Sequence, residues 1–347
     1  MRALTTICFA TISSLALAAC GSGGGSTDGA RDVVRVVGSS TVYPFATAVA
    51  EALGKAGGKA PVIESTGTGA GMKLFCAGVG ASHPDIENAS RRMKASEYED
   101  CKKNGVTEVV EIQVGLDGIA FAEAKGGPGM ALEPVDVYKA LAANPFGKPN
   151  TAKTWKDVNP ALPAIPILVY GPPSTSGTRD ALAELILTKG CDTDPAMKEL
   201  KKADEDKHKK TCTEIREDGA YVDAGENDNL IVQKISQNPK AIGVFGFSFL
   251  EENMDMLKGI TMSGITPTYQ TISDFSYPGA RPLYIYVKKA HLKAIKGLTE
   301  YVAEWAKAWG PDGVLKQKGM VIAPEDVRTK SAAIAKDMTP LDPSQLK

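Results

Sequence analysis

Short apolar runs that alternate with amphipathic ones predict an α/β protein built on parallel sheet. Two observations carry this reading. Three times a strand-like run ends in a turn of hydroxyl and glycine residues that leads into a helix-like segment: residues 33–37 into Gly38-Ser39-Ser40-Thr41, residues 61–64 into Ser65-Thr66-Gly67-Thr68-Gly69-Ala70-Gly71, and residues 167–170 into Ser174-Thr175-Ser176-Gly177-Thr178-Arg179. The length, 347 residues, exceeds one ordinary core and fits two domains of about 150 residues each. In open α/β sheets ligands lie beyond the carboxyl ends of the strands, where these turns fall. Free N–H groups at a helix start, the helix dipole and serine or threonine hydroxyls together make an anion site.

The remaining elements follow the same alternation. After the strand at 33–37, Pro44 suits a first helical turn, and Phe45, Val49 and Leu53 share one face of a helix over 44–53. Residues 72–77 continue as helix after the glycine turn, Ile86 precedes Asn88-Ala89-Ser90-Arg91, and 95–104 reads as a polar helix stopped by Gly105. A long β-type run over 109–122 is interrupted by Gly115-Leu116-Asp117-Gly118. A helix over 134–143, a strand over 165–170 and a helix over 179–189, with Leu182, Leu185 and Ile186 grouped, come next. The lysine-rich stretch 191–216 reads as a solvated surface insertion. A helix over 230–236, strands over 242–249 and 283–287, and a long helix over 292–309 complete the pattern.

The first residues read as an export signal. Arg2 precedes an apolar run closed by Leu17-Ala18-Ala19-Cys20, too short for a membrane span of roughly 17 to 25 residues. The tetrapeptide looks like a bacterial lipobox, which makes residues 1–19 a signal peptide and Cys20 a lipidated N-terminus. The Gly/Ser-rich segment after it, within 20–31, suits a flexible tether. Removing Arg2 with the signal leaves 39 of the 40 basic residues against 41 acidic ones. That balance offers no basic stripe for nucleic acid. Cys76, Cys101, Cys191 and Cys212 remain, an even number in an exported chain, with three possible pairings. Cys76–Cys101 and Cys191–Cys212 are favoured because each pair then lies within one lobe.

Rival chemistries find little support in the residues. His208 lies in a charged run, His291 at the start of a surface helix, and His83 before a proline, and none pairs with a nucleophile. Gly-x-Ser-x-Gly is absent, and Gly67–Lys73 fails both the P-loop and the dinucleotide glycine spacing. No spacing of His and Cys resembles a zinc site, so neither metal nor cofactor is expected. The chain reads as a binder and not as an enzyme.

Gly38-Ser39-Ser40-Thr41-Val42-Tyr43-Pro44, Thr66–Gly71, Asn88-Ala89-Ser90-Arg91, Ser176-Gly177-Thr178-Arg179, Gly225–Asn229 and Ile242–Phe247 together resemble the substrate-binding lipoproteins of phosphate ABC importers (PstS-like). The resemblance runs in order from Val33 to the C-terminus. It implies a type II periplasmic-binding fold: two α/β lobes joined by two crossing strands, near 115–122 and 281–286, with the ligand cleft between them. The implied division is 32–116 plus 284–347 for one lobe and 117–283 for the other. It also implies a monomer that binds inorganic phosphate in the periplasm and passes it to permease subunits.

Carried over by motif, Ser40, Thr41, Thr68, Ser90, Ser176, Gly177 and Thr178 are the phosphate donors, with Arg91 and Arg179 as cations. Two positions depart from the family pattern. Arg91 stands where relatives place an aspartate that accepts a phosphate proton, and Pro172 where they place an arginine. The variant Asn-Ala-Ser-Arg with Gly171-Pro172-Pro173 looks like a branch of the family. Arg216 is a further candidate cation, and Asp117 or Asp228 a candidate acceptor. With the acceptor displaced, sulfate, arsenate or molybdate is an alternative ligand. A surface lipoprotein of the same fold is another alternative.

Overall fold

The computed structural model describes residues 31–174, 176–225 and 228–346. The expected signal peptide, Cys20 and the tether up to residue 30 lie outside the described residues, as do Thr175, Glu226, Asn227 and Lys347. Among the described residues there are eleven strands: β1 (Arg35–Gly38), β2 (Val62–Ser65), β3 (Ile86–Ala89), β4 (Val109–Ala124), β5 (Ala131–Leu132), β6 (Val169–Gly171), β7 (Tyr221–Asp223), β8 (Ile242–Gly246), β9 (Leu257–Gly259), β10 (Thr261–Met262) and β11 (Ala280–Lys288). Neighbouring strands run in the order β2-β1-β3-β11-β4-β8-β6-β7, with β9 added beside β4 and β5 paired with β10. The βαβ crossovers are parallel, as β1 with β2 and β3 and β6 with β7 and β8, whereas β11 runs antiparallel to both β3 and β4.

β4 and β11 join two hydrophobic cores. Residues 109–118 of β4 pair with β11, and residues 119–124 pair with β8 and β9. The glycine-flanked interruption expected at 115–118 does not form. Leu283 pairs with Gly115 and Pro282 with Leu116, so the ladder runs through these residues, and the irregularity is a register shift that leaves Val114 unpaired. One core gathers Val36, Val49, Ile112, Ile285 and Trp305, with a satellite around Phe75, Cys101 and Tyr286. The other gathers Phe121, Trp155, Ile186, Phe245 and Tyr277.

Helix Tyr43–Lys55 has Pro44 in its first turn and buries Phe45, Ala46, Val49, Ala50 and Leu53. It packs on helix Leu298–Ala308, whose Tyr301 hydroxyl donates to the Ala46 carbonyl at 2.9 Å. The long helix expected over 292–309 is this shorter one, because Gly297 takes a left-handed conformation (φ 84°) and starts it afresh. The strand expected over 242–249 ends at Gly246, and helix Phe247–Glu252 follows with Phe247 and Leu250 buried.

The lysine-rich insertion is folded, not merely solvated. Helices Pro195–Ala203 and Glu205–Thr213 are held by the Cys191–Cys212 disulfide, and His208, only 3% exposed, bonds Asp192 at 2.7 Å. His291 is likewise buried, between the Gly80 N–H at 2.9 Å and Asp85 at 2.6 Å. Because its Nε2 accepts from Gly80, the proton on the ring lies at Nδ1, facing Asp85.

A third passage between the cores adds to the two strands. Leu315 and Met320 sit in the first core, while Val321 and Ala323 sit in the second. Between them Val321 and Leu116 exchange backbone hydrogen bonds of 2.9 and 3.2 Å, Ser248 Oγ donates to the Gly319 carbonyl at 3.2 Å, and the Tyr269 hydroxyl donates to the Ile322 carbonyl at 2.9 Å.

Both local disulfides are formed, Cys76–Cys101 and Cys191–Cys212, with sequence separations of 25 and 21. Chain-entropy arguments assign about 3 kcal/mol to each closed loop. The double variants Cys76→Ser/Cys101→Ser and Cys191→Ser/Cys212→Ser are each expected to lose about that much in urea unfolding. Unchanged midpoints and slopes would contradict the assignment.

Candidate functional site

The first and third donor turns meet. β1 ends at Gly38, and Ser39–Thr41 lead into helix Tyr43–Lys55; β6 ends at Gly171, and Ser176 caps a helical rod over 177–191 by accepting from Thr178 N–H at 3.2 Å. They approach so closely that a Cβ on Gly177 would lie 2.5 Å from the Thr41 Cα. Ser40 Oγ donates to Asp180, and Thr41 Oγ1 donates to the Gly177 carbonyl at 3.2 Å. Beside this contact lies a cavity of about 430 Å³, lined by Ser40, Thr41, Asp117, Ser176, Gly177, Thr178 and Asp228 among others.

The second turn lies a step away. Thr68 opens helix Thr68–Phe75, and its Oγ1 accepts from the Ser90 N–H at 3.1 Å while meeting Ser90 Oγ at 3.0 Å. Both residues are buried, which fixes the turn against the end of β3.

The cations are distributed differently from expectation. Arg91 donates both terminal nitrogens to Glu97, at 2.9 and 2.6 Å, so its bidentate fork goes to a carboxylate of its own chain. That bond lifts Arg91 above the usual guanidinium range; Glu97 ends up below the usual carboxylate range, because Arg91 and the Lys94 N–H outweigh its burial. Arg179 lies over the Tyr221 ring, 4.4 Å from its centre, and burial pushes the Tyr221 phenol up to about 12. Arg216 is away from the cleft: it is clamped by Asp218 and by the Ala152 carbonyl at 2.9 Å, and it tacks the end of the insertion to the second core. Arg281, at 5% side-chain exposure, is buried beside the cleft, against two residues that line it. Its Nε donates to Asp117 at 3.0 Å, its Nη2 to Thr41 Oγ1 at 2.8 Å, and its Nη1 to Glu184. The sequence reading placed this residue on a crossing strand but not in the site. The signal was its position on β11 directly opposite Asp117.

Asp117 and Asp228 both line the cavity. Burial raises the Asp117 carboxyl above its ordinary range, and the charge of Arg281 opposes that rise. Asp228 opens helix Asp228–Gln237 and accepts from the Gly246 N–H at 3.3 Å. Cys191, His208 and Cys212 hold their ligand atoms within 4.8 Å of one another, but the disulfide takes both sulfurs.

Glu87, on β3 behind the first two turns, is 0% exposed and neither of its carboxyl oxygens has a protein partner among the described residues. It fills the space that lets Gly38 and Gly71 pack without side chains: a Cβ on either would come within 2.6 and 2.2 Å of its Oε2. Burial holds this carboxyl well above its ordinary range, with the Glu97 charge adding to the rise and Arg91 opposing it.

Two α/β halves joined by shared strands, with helix starts opposed across a cleft, define a two-lobed binding protein. The profile described as a PBP superfamily domain matches residues 24–310. Protein SphX of Synechococcus elongatus is 33% identical over 278 residues, which are 76% of this chain and 72% of that protein. Phosphate-binding protein PstS of Staphylococcus saprophyticus is 33% identical over 296 residues, covering 83% of this chain and 81% of its own. The crystal structure of a possible phosphate binding protein from Planctomyces limnophilus superposes with a TM-score of 0.70 at 27% identity, over 89% of this chain and 99% of that one. The chain belongs to this PstS-like family, and its fold is the type II periplasmic-binding fold.

Glu87 gives a pH signature. Its folded pKa lies above the unfolded value near 4.5, so the stability it contributes is complete below that pH and is lost as pH rises toward the folded value. Thermal unfolding between about pH 5 and pH 8 is expected to show a flatter decline for Glu87→Gln than for the native chain. Identical slopes would contradict a carboxyl kept neutral by burial.

Proposed function

We propose that this protein binds inorganic phosphate between the Ser40-Thr41 and Ser176–Thr178 turns and delivers it to the permease of an ABC importer, without turnover. The opposition of these two helix starts across one cleft carries the reading, and the names of the SphX and PstS relatives agree with it. A dianion taken out of water needs many donors, because burying charge without partners costs several kcal/mol. Hydroxyls and helix N-termini supply donors that lose no proton near neutral pH. Thr68 fits this role: its oxygen accepts from the Ser90 N–H and, with the Ser90 hydroxyl donating to it as well, its own hydrogen is left for the anion. Ser90, Gly177 and Thr178 complete the proposed contacts.

In the form described here Ser40 and Thr41 donate across the cleft to Asp180 and Gly177. Loading then begins with the lobes apart, and closure exchanges these contacts for bonds to phosphate. We assign one lobe to 32–116 plus 284–347 and the other to 117–283, with 319–323 running between them. Export, a lipid at Cys20 and work as a monomer in the periplasm complete the proposal. Among the described residues no helix is long and apolar enough to cross a membrane.

Calorimetric titration of the lipid-free domain with phosphate is expected to give one site per chain, unchanged by EDTA. Binding abolished by EDTA, or tighter binding of sulfate, arsenate or molybdate, would overturn the assignment. Thr68→Val and Ser176→Ala are each expected to weaken phosphate by about 1–3 kcal/mol. Full affinity in both variants would show that these turns only cap helices.

A further inference from the structure

The cleft holds a charged residue outside the donor turns. The cavity beside those turns carries the carboxylates Asp117 and Asp228. The arginines around it have other partners: Arg281 is held by Asp117, Glu184 and Thr41, Arg91 by Glu97, and Arg179 stacks on Tyr221. Lys318 lines the same cavity as Ser40, Thr41 and Ser176–Thr178. It stands at the end of helix Val314–Gln317, is exposed, and among the described residues its ammonium makes no ion pair. Its neighbour Lys316 lines a separate cavity of about 280 Å³ instead.

We propose that Lys318 supplies the positive charge that neutralises the anion in the cleft and, from its place on the third passage, ties anion binding to lobe closure. The proposal rests on the oxyanion reading above. Arg281 and Asp117 cancel one another, and hydroxyls and N–H dipoles carry no net charge to match that of a dianion. A mobile ammonium reaches the anion without leaving a buried charge unpaired when the cleft is open. Immediately after Lys318 the chain turns at Gly319 (φ 88°), Met320 enters the first core and Val321 the second. An anion that draws Lys318 inward therefore pulls on a segment anchored in both halves. Lys318 is thus a binding residue by its charge and a positioning residue through its backbone.

The test compares phosphate titrations of the native protein, Lys318→Gln, Lys318→Arg and the neighbouring control Lys316→Gln, at low and physiological salt, with sulfate, arsenate and molybdate alongside. Lys318→Gln is expected to weaken phosphate on the order of tenfold to a hundredfold and to flatten the salt dependence. Lys318→Arg is expected to restore binding to within a few-fold, and Lys316→Gln to leave it unchanged. Small-angle scattering is expected to show that saturating phosphate compacts the native protein more than the Gln variant. Native phosphate binding with an unaffected Lys318→Gln variant would overturn this inference and leave the phosphate reading intact. A native protein that binds none of the four anions would overturn both.

Discussion

The antiparallel pairing of β4 with β11 is the constraint on which the rest of the molecule depends. Nine residues of β11 run against β4 from Lys288 opposite Val109 to Ala280 opposite Gly118, and β4 then continues into the other sheet against β8 and β9. Each half buries its own core, so the shared strands transmit position between them. Arg281 stands where the pairing leaves the first sheet. It binds Asp117 on the opposite strand, Thr41 of the first half and Glu184 of the second. Removing Asp117, the buried partner, typically costs about 3–5 kcal/mol, whereas Glu184 is half-exposed and adds less. The passage at 319–323 adds a third link across this seam.

Around that seam, the polar groups of the cleft are already engaged with one another. Ser40 and Thr41 donate across it, Thr68 and Ser90 bond within one half, and Ser176 caps its own helix. Asp180 and Glu184 lie one helical turn apart on the same rod, and their carboxylates take donors from the first turn and from Arg281. Unpaired hydroxyls and a buried guanidinium would cost free energy, and these carboxylates remove that cost. In the binding mode proposed above, an oxyanion competes with these internal acceptors for the same donors, and selectivity rests on the difference between the two sets of bonds.

Much of this was legible in the sequence because it is local. The strand, glycine-hydroxyl turn and helix unit fixes its own geometry, so the ends of β1, β2 and β6 and the residues Ser40, Thr68 and Ser176 fall where the pattern puts them. Short-range cysteine pairing was legible for the same reason. What the sequence hid depends on distant partners. Arg91 reads as a ligand cation from its motif, but Glu97, six residues on, turns its fork aside. Arg281 and Glu87 carry no motif, and only β11 facing β4, or Gly38 facing Gly71, shows what they do. His208 and His291 look solvated in a charged or surface context until Asp192 and Asp85 meet them from elsewhere in the chain. Gly115 and Gly118 read as a break, yet pairing with β11 keeps the strand continuous.

The central claim is that one anion is held from both halves at once. Hydrogen–deuterium exchange of the lipid-free protein, with and without saturating phosphate, tests it most directly. The account predicts that phosphate slows exchange together in 39–43, 67–71 and 176–180, and also along the 319–323 passage. Protection confined to the turns of one half, with the opposing turn and the passage unchanged, would contradict it.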